Sequence, residues 1–262
     1  MRKVYTINSN SSTIQNSDIS HLKVNLPRPI VLGGNPDDYS VVLEYMRLPY
    51  TVYNISSAKA NNKIYYNYDG TDYEIEFSDG IYTANYLKSY VDAYQLAQSH
   101  YDTNSYGVKT YYWTLDLNSA LGKFYVQVNK VGTTVSFTNT TFYNVIGFTS
   151  DASITETTLG TSIADITQGT EEIYLWCNIV SNTVNSTINS NILYNSVWSS
   201  KFWSCNVFPR VEEKLPPMAG INTTTISNFE FKLLDKDGNN LNFADNGTID
   251  SITIRISIMD SK

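Results

Sequence analysis

The stretch TIDSITIRISI, residues 248–258, decides the fold class of this chain. Apolar and polar residues alternate through it, and a period of two places one set of side chains on a single face of a β-strand. That face carries four isoleucines: Ile252, Ile254, Ile256 and Ile258. A strand this regular is typical of a sheet centre, so we expect it to lie between two other strands.

The same alternation, or a short apolar run between turn residues, predicts further strands along the chain. They are 21–26, 39–48, 63–68, 73–77, 111–117, 123–129, 133–138, 171–179 and 226–234. Pro27 and Pro29 end the first of these strands or confine it to a sheet edge, because proline cannot donate to the ladder. Asp69-Gly70 and Lys130-Val131-Gly132 predict tight turns that join neighbouring strands into hairpins.

One helix is predicted, over residues 83–98, because Leu87, Val91 and Tyr94 recur at helical spacing and Thr83 can cap the N-terminus. Residues 149–170 are predicted to be a long loop, and residues 181–200 are irregular. This many strands with a single helix indicate an all-β protein. The expected architecture is a single jelly-roll β-sandwich of two four-stranded sheets, with one helix near 83–98 and long loops.

Composition and charge exclude several classes of function. The formal net charge is −7, and Arg2-Lys3 is the basic pair near an end, so the clustered cations that bind nucleic acid are missing. No apolar run is long enough for a membrane helix, and the first residues do not read as a signal peptide. Charged residues are 16% of the chain, against about 25% in an average domain. Selection for assembly and a biased codon composition both explain this.

Tyrosine is abundant, with 21 residues against 4 tryptophans, which suits half-buried sheet faces and protein interfaces. Cys177 and Cys205 lie in apolar-aromatic runs, and we expect buried free thiols, as in a reducing compartment. Six Asn-x-Ser/Thr sequences occur, as expected by chance in a chain rich in these residues. They begin at Asn10, Asn54, Asn139, Asn185, Asn222 and Asn246.

No catalytic or metal-binding residues are predicted. His21 lies on the polar side of its strand and His100 follows the helix, and neither accompanies a Gly-x-Ser-x-Gly nucleophile turn. Cys177 and Cys205 are too far apart in sequence to form the close ligand pairs of a zinc site. No cofactor is expected either.

Three further patterns have a functional and a structural interpretation. The run Asp235 to Asn239 resembles part of a calcium loop, but the Glu that completes such a loop is missing, and Asp237-Gly238 reads as a hairpin turn. Glu74 and Glu76 share one strand face and could form a glycosidase pair or a solvated surface. Tyr111-Tyr112-Trp113 could stack on a sugar, fill the core or lie in a subunit interface.

Three blocks together resemble the penton, or minor capsid, proteins of virophages and Polinton-like (Maverick) viruses. The first block is VYTINSNSSTIQNSDISHLKVNLPRPIVL (4–32) followed by YSVVLEYMRLPYTVYNIS (39–56). The second is NNKIYYNYDGTDYEIEFSDGIYTANYLKSYVDAY (61–94), with its Gly80-Ile81-Tyr82-Thr83 turn. The third is TISNFEFKLLDKDGNNLNFADNGTIDSITIRISI (225–258), and the phrase YNVIGF (143–148) is similar as well.

The resemblance implies a single jelly roll over 1–262, standing upright in an icosahedral capsid. It implies a homopentamer that closes each fivefold vertex and contacts trimers of a double-jelly-roll major capsid protein. The virion, assembled in the host cytoplasm or a viral factory, would be its location, and the family has no catalytic residues to transfer. Residues 149–225 match no block and are interpreted as a loop-rich insertion.

Two other classes of function stay open. A viral fibre head, or another receptor- or glycan-binding β-sandwich, would share the all-β, Tyr-rich composition and would contact a host receptor through its loops. A carbohydrate-active enzyme on a β-sandwich is the third class, with Glu74 and Glu76 as its candidate residues.

Overall fold

The computed structural model describes residues 2–9, 19–168, 170–181, 191–198, 205–208, 218–243 and 252–260. The chain divides into two compact units. One, here called the jelly-roll unit, combines Met1–Val52 with Gly169–Lys262. The other, the inserted unit, is the continuous segment Tyr53–Gln168, which interrupts the first unit in sequence.

The described part of the jelly-roll unit forms two antiparallel sheets. Its strands are β1 (Arg2–Asn8), β2 (His21–Val31), β3 (Tyr39–Pro49), β13 (Glu172–Cys177), β14 (Ile192–Val197), β15 (Cys205–Phe208), β16 (Met218–Gly220), β17 (Thr225–Leu234) and β18 (Thr253–Asp260). The front sheet has the order β1-β18-β3-β15, with β16 also paired to β3, and the back sheet has the order β14-β13-β17-β2. A short 3-10 helix, Pro36–Asp38, precedes β3.

The pairing of these strands is that of a jelly roll. β15 pairs with one half of β3 and β16 with the other half in the same antiparallel direction, so they occupy one strand position. The unit then has eight positions, in which the first pairs with the eighth, the second with the seventh, the third with the sixth and the fourth with the fifth. This nested order, split over two sheets, defines the fold, and the predicted all-β jelly-roll sandwich is confirmed.

The core of this unit lies between the front and back sheets. β18 is central in the front sheet, between β1 and β3, as its sequence predicts. Its isoleucines share one buried cluster with Leu22 of β2, Leu175 of β13 and Phe231 of β17, all from the back sheet. Burying each such side chain stabilises the fold by roughly 1.5–3 kcal/mol.

Proline sets the edge of the back sheet. β2 continues through Pro27 and Pro29 to Val31, and it is the last strand in the sheet order. Its register with β17 shifts near Ile226, between two separately paired stretches. The strand therefore tolerates both prolines because it lies at an edge, one of the two predicted outcomes.

The inserted unit has a second, separate core. Its strands are β4 (Lys63–Tyr68), β5 (Thr71–Glu76), β6 (Tyr101–Thr103), β7 (Lys109–Tyr111), β8 (Trp113–Asn118), β9 (Lys123–Val128), β10 (Thr133–Ser136), β11 (Ser153–Ile154) and β12 (Thr158–Leu159); its helices are α1 (Ala84–Ala97) and α2 (Phe142–Ile146), with a 3-10 turn at Ser57–Lys59. The sheet orders are β11-β10-β4-β5 and β12-β9-β8, and β6 pairs with β7 alone.

Helix α1 lies where its periodicity places it. The Thr83 hydroxyl accepts a hydrogen bond from the backbone N–H of Tyr86, and Leu87 and Val91 are buried. The buried Gln95 amide bonds to both backbone groups of Trp113 in β8, at 2.6 and 3.2 Å. One polar side chain thus fixes the helix to the neighbouring strand.

A buried asparagine joins distant parts of the inserted unit. The Asn54 side chain accepts from the N–H of Tyr82 and donates to the carbonyls of Tyr82 and Ile166, each at 2.8 Å. Asn54 is fully buried. The Asn-x-Ser sequence at this position is therefore structural and is closed to a glycan in the folded chain.

The predicted hairpin around Lys130-Val131-Gly132 is wrong. β9 pairs with β8 and β12, whereas β10 pairs with β4 and β11, so the turn connects two different sheets. The N–H groups of Asn129 and Lys130 both bond to the Tyr112 carbonyl instead of continuing a ladder. By contrast, the Asp69-Gly70 hairpin is formed as predicted, with Tyr68 opposite Thr71.

The segment predicted as an insertion, 149–225, is shared between the units. Its part up to Gln168 lies in the inserted unit and contains β11 and β12, and its remainder contains β13 to β16. The structure adds strands that no sequence pattern indicated, among them β1, β14, β15 and β16. A single domain over 1–262, with an insertion at 149–225, stays a prediction.

Gly147 is predicted to be the least replaceable glycine of the inserted unit. It ends α2 at φ +76°, and an added Cβ would overlap the backbone carbonyl oxygen of Ser162. Gly132 also has positive φ, +84°, but open space around it. Gly132→Ala should cost about 1 kcal/mol for the left-handed backbone, and Gly147→Ala clearly more than about 2 kcal/mol.

Urea unfolding followed by circular dichroism measures both free energies of unfolding. The two variants carry the same chemical change, so their difference isolates the overlap at Ser162. Equal losses of stability would show that the close approach is not a constraint.

Candidate interaction surfaces

The described residues contain no group of three or more His, Cys, Asp or Glu side chains placed to hold a metal ion. Cys177 is fully buried in the jelly-roll core, and burial raises the pKa of its thiol to about 12. The side chain of Cys205 lies outside the described residues. Cys177 is thus an apolar core residue, whereas a zinc ligand must be a thiolate.

The two histidines occupy unrelated environments. His21 lies on the outer face of the back sheet, where its Nε2 is 2.7 Å from Oε1 of Glu230. His100 follows α1 in the inserted unit, where its Nδ1 is 2.7 Å from the hydroxyl of Tyr66. Burial lowers the pKa of His100. Neither of these two contacts supplies a serine or cysteine nucleophile, which a histidine base would need.

Glu74 and Glu76 form an exposed ion-pair group on β4 and β5. The Lys63 ammonium is 2.7 Å from Glu74 and 3.8 Å from Glu76. Its hydrogen bond lowers the pKa of Glu74. A glycosidase acid needs a raised pKa, so the structure favours the solvated-surface interpretation of this pair.

The segment from Asp235 to Asn239 is a turn in which the Asp235 carboxylate already accepts hydrogen bonds from the backbone. One carboxylate oxygen of Asp235 accepts from the N–H groups of Asp237 and Asn239, both at 2.9 Å. Gly238 has φ +83°, and Leu234 pairs with Asn240 across the turn. This geometry agrees with the hairpin interpretation.

The run Tyr111-Tyr112-Trp113 divides its side chains among three roles. Trp113 is fully buried in the core. The ring of Tyr112 stacks on His100 at 5.3 Å, and that of Tyr111 meets Tyr101 across the β6–β7 hairpin. The three aromatic side chains therefore do not form one platform for a sugar.

The outer face of the front sheet carries an apolar row. Val4, Ser257, Val42 and Met218 lie directly opposite one another across β1, β18, β3 and β16. Directly opposite residues share a face about 5 Å apart, and the other face holds the core isoleucines. The two ends of the row are exposed, Val4 by 51% and Met218 by 66%, while its two central members, the polar Ser257 and the apolar Val42, are buried outside the core cluster.

Positive side chains flank this row. Arg2 lies next to Val4 on β1 and bonds to Glu44, and Arg255 and Arg47 follow on the same face. Although burial alone would raise the pKa of Glu44, the hydrogen bond and charge of Arg2 and the charge of Arg255 lower it. This face is cationic and aliphatic in a chain that is acidic as a whole.

The outer face of the back sheet is aromatic and ion-paired. Tyr174 and Leu234 form a cluster with Trp176 and Ile192, apart from the main core. The Lys232 ammonium lies 4.8 Å from the centre of the Trp176 ring. The two faces of the sandwich thus differ in chemistry, which a contact between unlike surfaces requires.

The β6–β7 hairpin of the inserted unit ends in an ordered apolar tip. The Asn104 carboxamide oxygen accepts from the N–H groups of Tyr106 and Val108, both at 3.0 Å, and Gly107 has φ +79°. Tyr106 is 90% exposed at this tip, and Val108 is exposed beside it. Because hydrogen bonds already hold the turn, the tip would lose little conformational entropy when its exposed apolar side chains bind a partner.

Sequence patterns did not locate these surfaces. β16 and its Met218 belonged to no predicted strand, and the register that aligns Val4 with Met218 is a property of the sheet. The exposed Tyr106 could have been suspected from its position in the short polar stretch between Tyr101 and Tyr111. Within the described ranges, the helices fall short of the length and apolarity needed to cross a bilayer.

Comparison with known proteins gives a likeness at the level of fold. No protein-family model matches the sequence, and no curated protein matches it significantly. The crystal structure of the mavirus penton protein is similar, with a TM-score of 0.49 and 14% identity over 98% of both chains. A chain of the Sputnik virophage cryo-EM structure has a TM-score of 0.44 and 10% identity, over 99% of this chain and 98% of that one.

Cys177 is predicted to be unreactive in the folded chain. At pH 8 only about one thiol in ten thousand would be the nucleophilic thiolate, four pH units below a pKa of about 12. In a Cys205→Ser variant, a disulfide reagent such as DTNB should label nothing at native conditions and one thiol per chain in concentrated urea. Rapid native labelling would contradict the burial of Cys177.

Proposed function

We propose that this chain is a structural minor capsid protein of the penton type, without an enzymatic role. It forms homopentamers that close the fivefold vertices of an icosahedral shell. The observation that carries the proposal is the apolar row on the outer face of the front sheet. A sheet face with exposed Val4 and Met218 is suited to permanent contact with another folded protein.

The sequence resemblance supports the same function from the strands that it covers. The first and third blocks contain β2, β3, β17 and most of β1 and β18. Of these, β1 with β18 and β2 with β17 form the first-to-eighth and second-to-seventh pairs of the jelly roll. The second block contains β4, β5 and most of α1 in the inserted unit. The resemblance therefore lies on the framework of both units.

The proposed mechanism is a contact between unlike flanks. The cationic, aliphatic outer face of the front sheet would meet a different surface of the next copy, and such heterologous contacts close into a ring when the rotation fits. Stable interfaces of this kind bury more than about 2,000 Å². Low charge content and abundant tyrosine favour such burial.

Trimers of a double-jelly-roll major capsid protein are the proposed outer partners. The virion is the proposed location, with assembly in the host cytoplasm or viral factory. The net charge of −7 gives no reason to expect direct nucleic-acid binding.

Charge placed in the apolar row should abolish assembly. Val4→Glu with Met218→Glu puts two carboxylates at exposed positions, so the fold should survive while the buried contact becomes unfavourable. We expect an unchanged melting temperature and at least a tenfold loss of chain incorporated into shells. Co-expression with the major capsid protein, particle purification and native mass spectrometry measure this.

The matched control is Val131→Glu. Val131 is 97% exposed on a turn of the inserted unit, so the same chemical change falls outside the front sheet. Normal incorporation of the double variant, or equal loss in the control, would refute the assignment of this face. Because isolated pentons could need the shell to close, co-assembly is more informative than the oligomeric state of the purified chain.

A second candidate function, receptor or glycan binding, is favoured by the ordered tip of the β6–β7 hairpin. An exposed tyrosine ring offers a stacking face to a sugar or an anchor to a protein receptor. In this function, Tyr106 and Val108 would make the contact.

A glycan array with the wild-type chain and with Tyr106→Ala tests this second function. Saturable binding to a defined sugar that is lost in the variant would support it. Binding that survives the substitution, or no binding at all, would contradict a glycan role for the tip.

A further inference from the structure

His100 lies at the base of the β6–β7 hairpin in the inserted unit. It directly precedes β6, and Tyr112 directly follows β7. The Tyr112 N–H donates to the His100 carbonyl at 3.2 Å, and the two rings stack 5.3 Å apart at 14°. The imidazole and the phenol ring thus close the hairpin at its attachment to the rest of the unit.

Among the described residues, each titratable group in ring contact with the imidazole is a tyrosine. Tyr66 and Tyr68 come from β4, Tyr73 from β5 and Tyr112 from the residue after β7. From α1, Tyr94 meets Tyr66 edge-on at 6.4 Å. His100 is 8% exposed, so water can do little to solvate a charge there.

The hydrogen bond to Tyr66 fits the neutral imidazole. Tyr66 is almost fully buried, and its hydroxyl lies 2.7 Å from Nδ1 of His100. If Nδ1 is unprotonated, it accepts a hydrogen bond from the Tyr66 hydroxyl. Protonation of Nδ1 would turn it into a donor, so the bond would have to reverse and the buried Tyr66 O–H would have to turn to another acceptor.

The charged groups nearest the cluster, Lys130 and Asp102, pair with each other. The Lys130 ammonium lies 5.2 Å from the centre of the Tyr112 ring, so the ring that could stabilise a cation on His100 already attracts another. Asp102 binds Lys130 at 2.9 Å and neutralises it. The geometry shows no carboxylate bonded to His100 itself among the described residues.

We propose that His100 is a pH-sensitive lock that holds the β6–β7 hairpin closed while its imidazole is neutral. Protonation would force the Tyr66 bond to reverse, place a charge at a nearly buried site and release the hairpin with its Tyr106 tip. The proposal is independent of the penton function.

The direction of the effect follows from the burial of the imidazole. Burial lowers the pKa of His100 below its ordinary value of 6.5, so the closed state binds fewer protons than the open state. The stabilisation is complete above pH 6.5 and is lost as the pH falls through 6.5 towards the lowered pKa. In that window the open population should rise by about tenfold per pH unit, because one proton is taken up on opening.

The experiment is simplified by a chain that contains two histidines. Hydrogen exchange of peptides covering 98–113, corrected for intrinsic rates, is followed from pH 7.5 to 5 in the wild type, His100→Asn and His21→Asn. In the wild type and in His21→Asn we expect no change in the open population above pH 6.5 and a rise of up to tenfold per pH unit below it, and a flat profile in His100→Asn. Equal slopes in the wild type and His100→Asn would overturn the proposal.

A second measurement does not depend on a folded His100 variant. The two histidine ring signals in the NMR spectrum of the wild type are assigned with His21→Asn and titrated. We expect His100 to titrate below 6.5, and Tyr66→Phe, which removes the hydroxyl, to bring its pKa closer to 6.5. A His100 pKa of 6.5 or higher in the wild type would also overturn the proposal.

Discussion

The jelly-roll unit depends on the burial of one side of β18. Ile254, Ile256 and Ile258 lie in the core, and the strand that carries them pairs with β1 on one side and β3 on the other. The same three strands therefore supply both the core face and, through the alternate residues Val4, Val42 and Ser257, the outer face. Core and candidate interface are two sides of a single ladder, so the register that the core fixes also aligns the surface.

The inserted unit uses buried polar groups to hold its parts together. Asn54 bonds to both backbone groups of Tyr82, and Gln95 does the same for Trp113. Each of these side chains makes the hydrogen bonds to backbone groups that a neighbouring strand would otherwise make. Because an unpaired buried polar group is costly, such contacts specify one arrangement of loops and helix. His100 and Tyr66 follow the same rule, and their contact alone includes a group that titrates near neutral pH.

The two units carry their exposed apolar side chains in different settings. In the jelly-roll unit, exposed apolar groups lie on a flat sheet face, where a large and permanent contact is possible. In the inserted unit they lie on turns and on a hairpin tip, as with Val131 and Tyr106, where a small contact is more natural. The proposed capsid contact and the proposed receptor contact therefore concern different units of the chain.

The amino-acid sequence by itself determined the elements whose pattern is local. The alternation in 252–258, the spacing of Leu87 and Val91 behind Thr83, and the Asp69-Gly70 turn each correspond to an element of the structure, because period, capping and turn chemistry act over a few residues. The tertiary structure decided what depends on distant strands. Four features bring together residues far apart in sequence. In the jelly-roll unit they are the shared position of β15 and β16 and the row from Val4 to Met218. In the inserted unit they are the assignment of β9 and β10 to different sheets and the ring of tyrosines around His100. A local pattern shows which face of a strand is apolar, but only the pairing of remote strands determines which residues pack against that face.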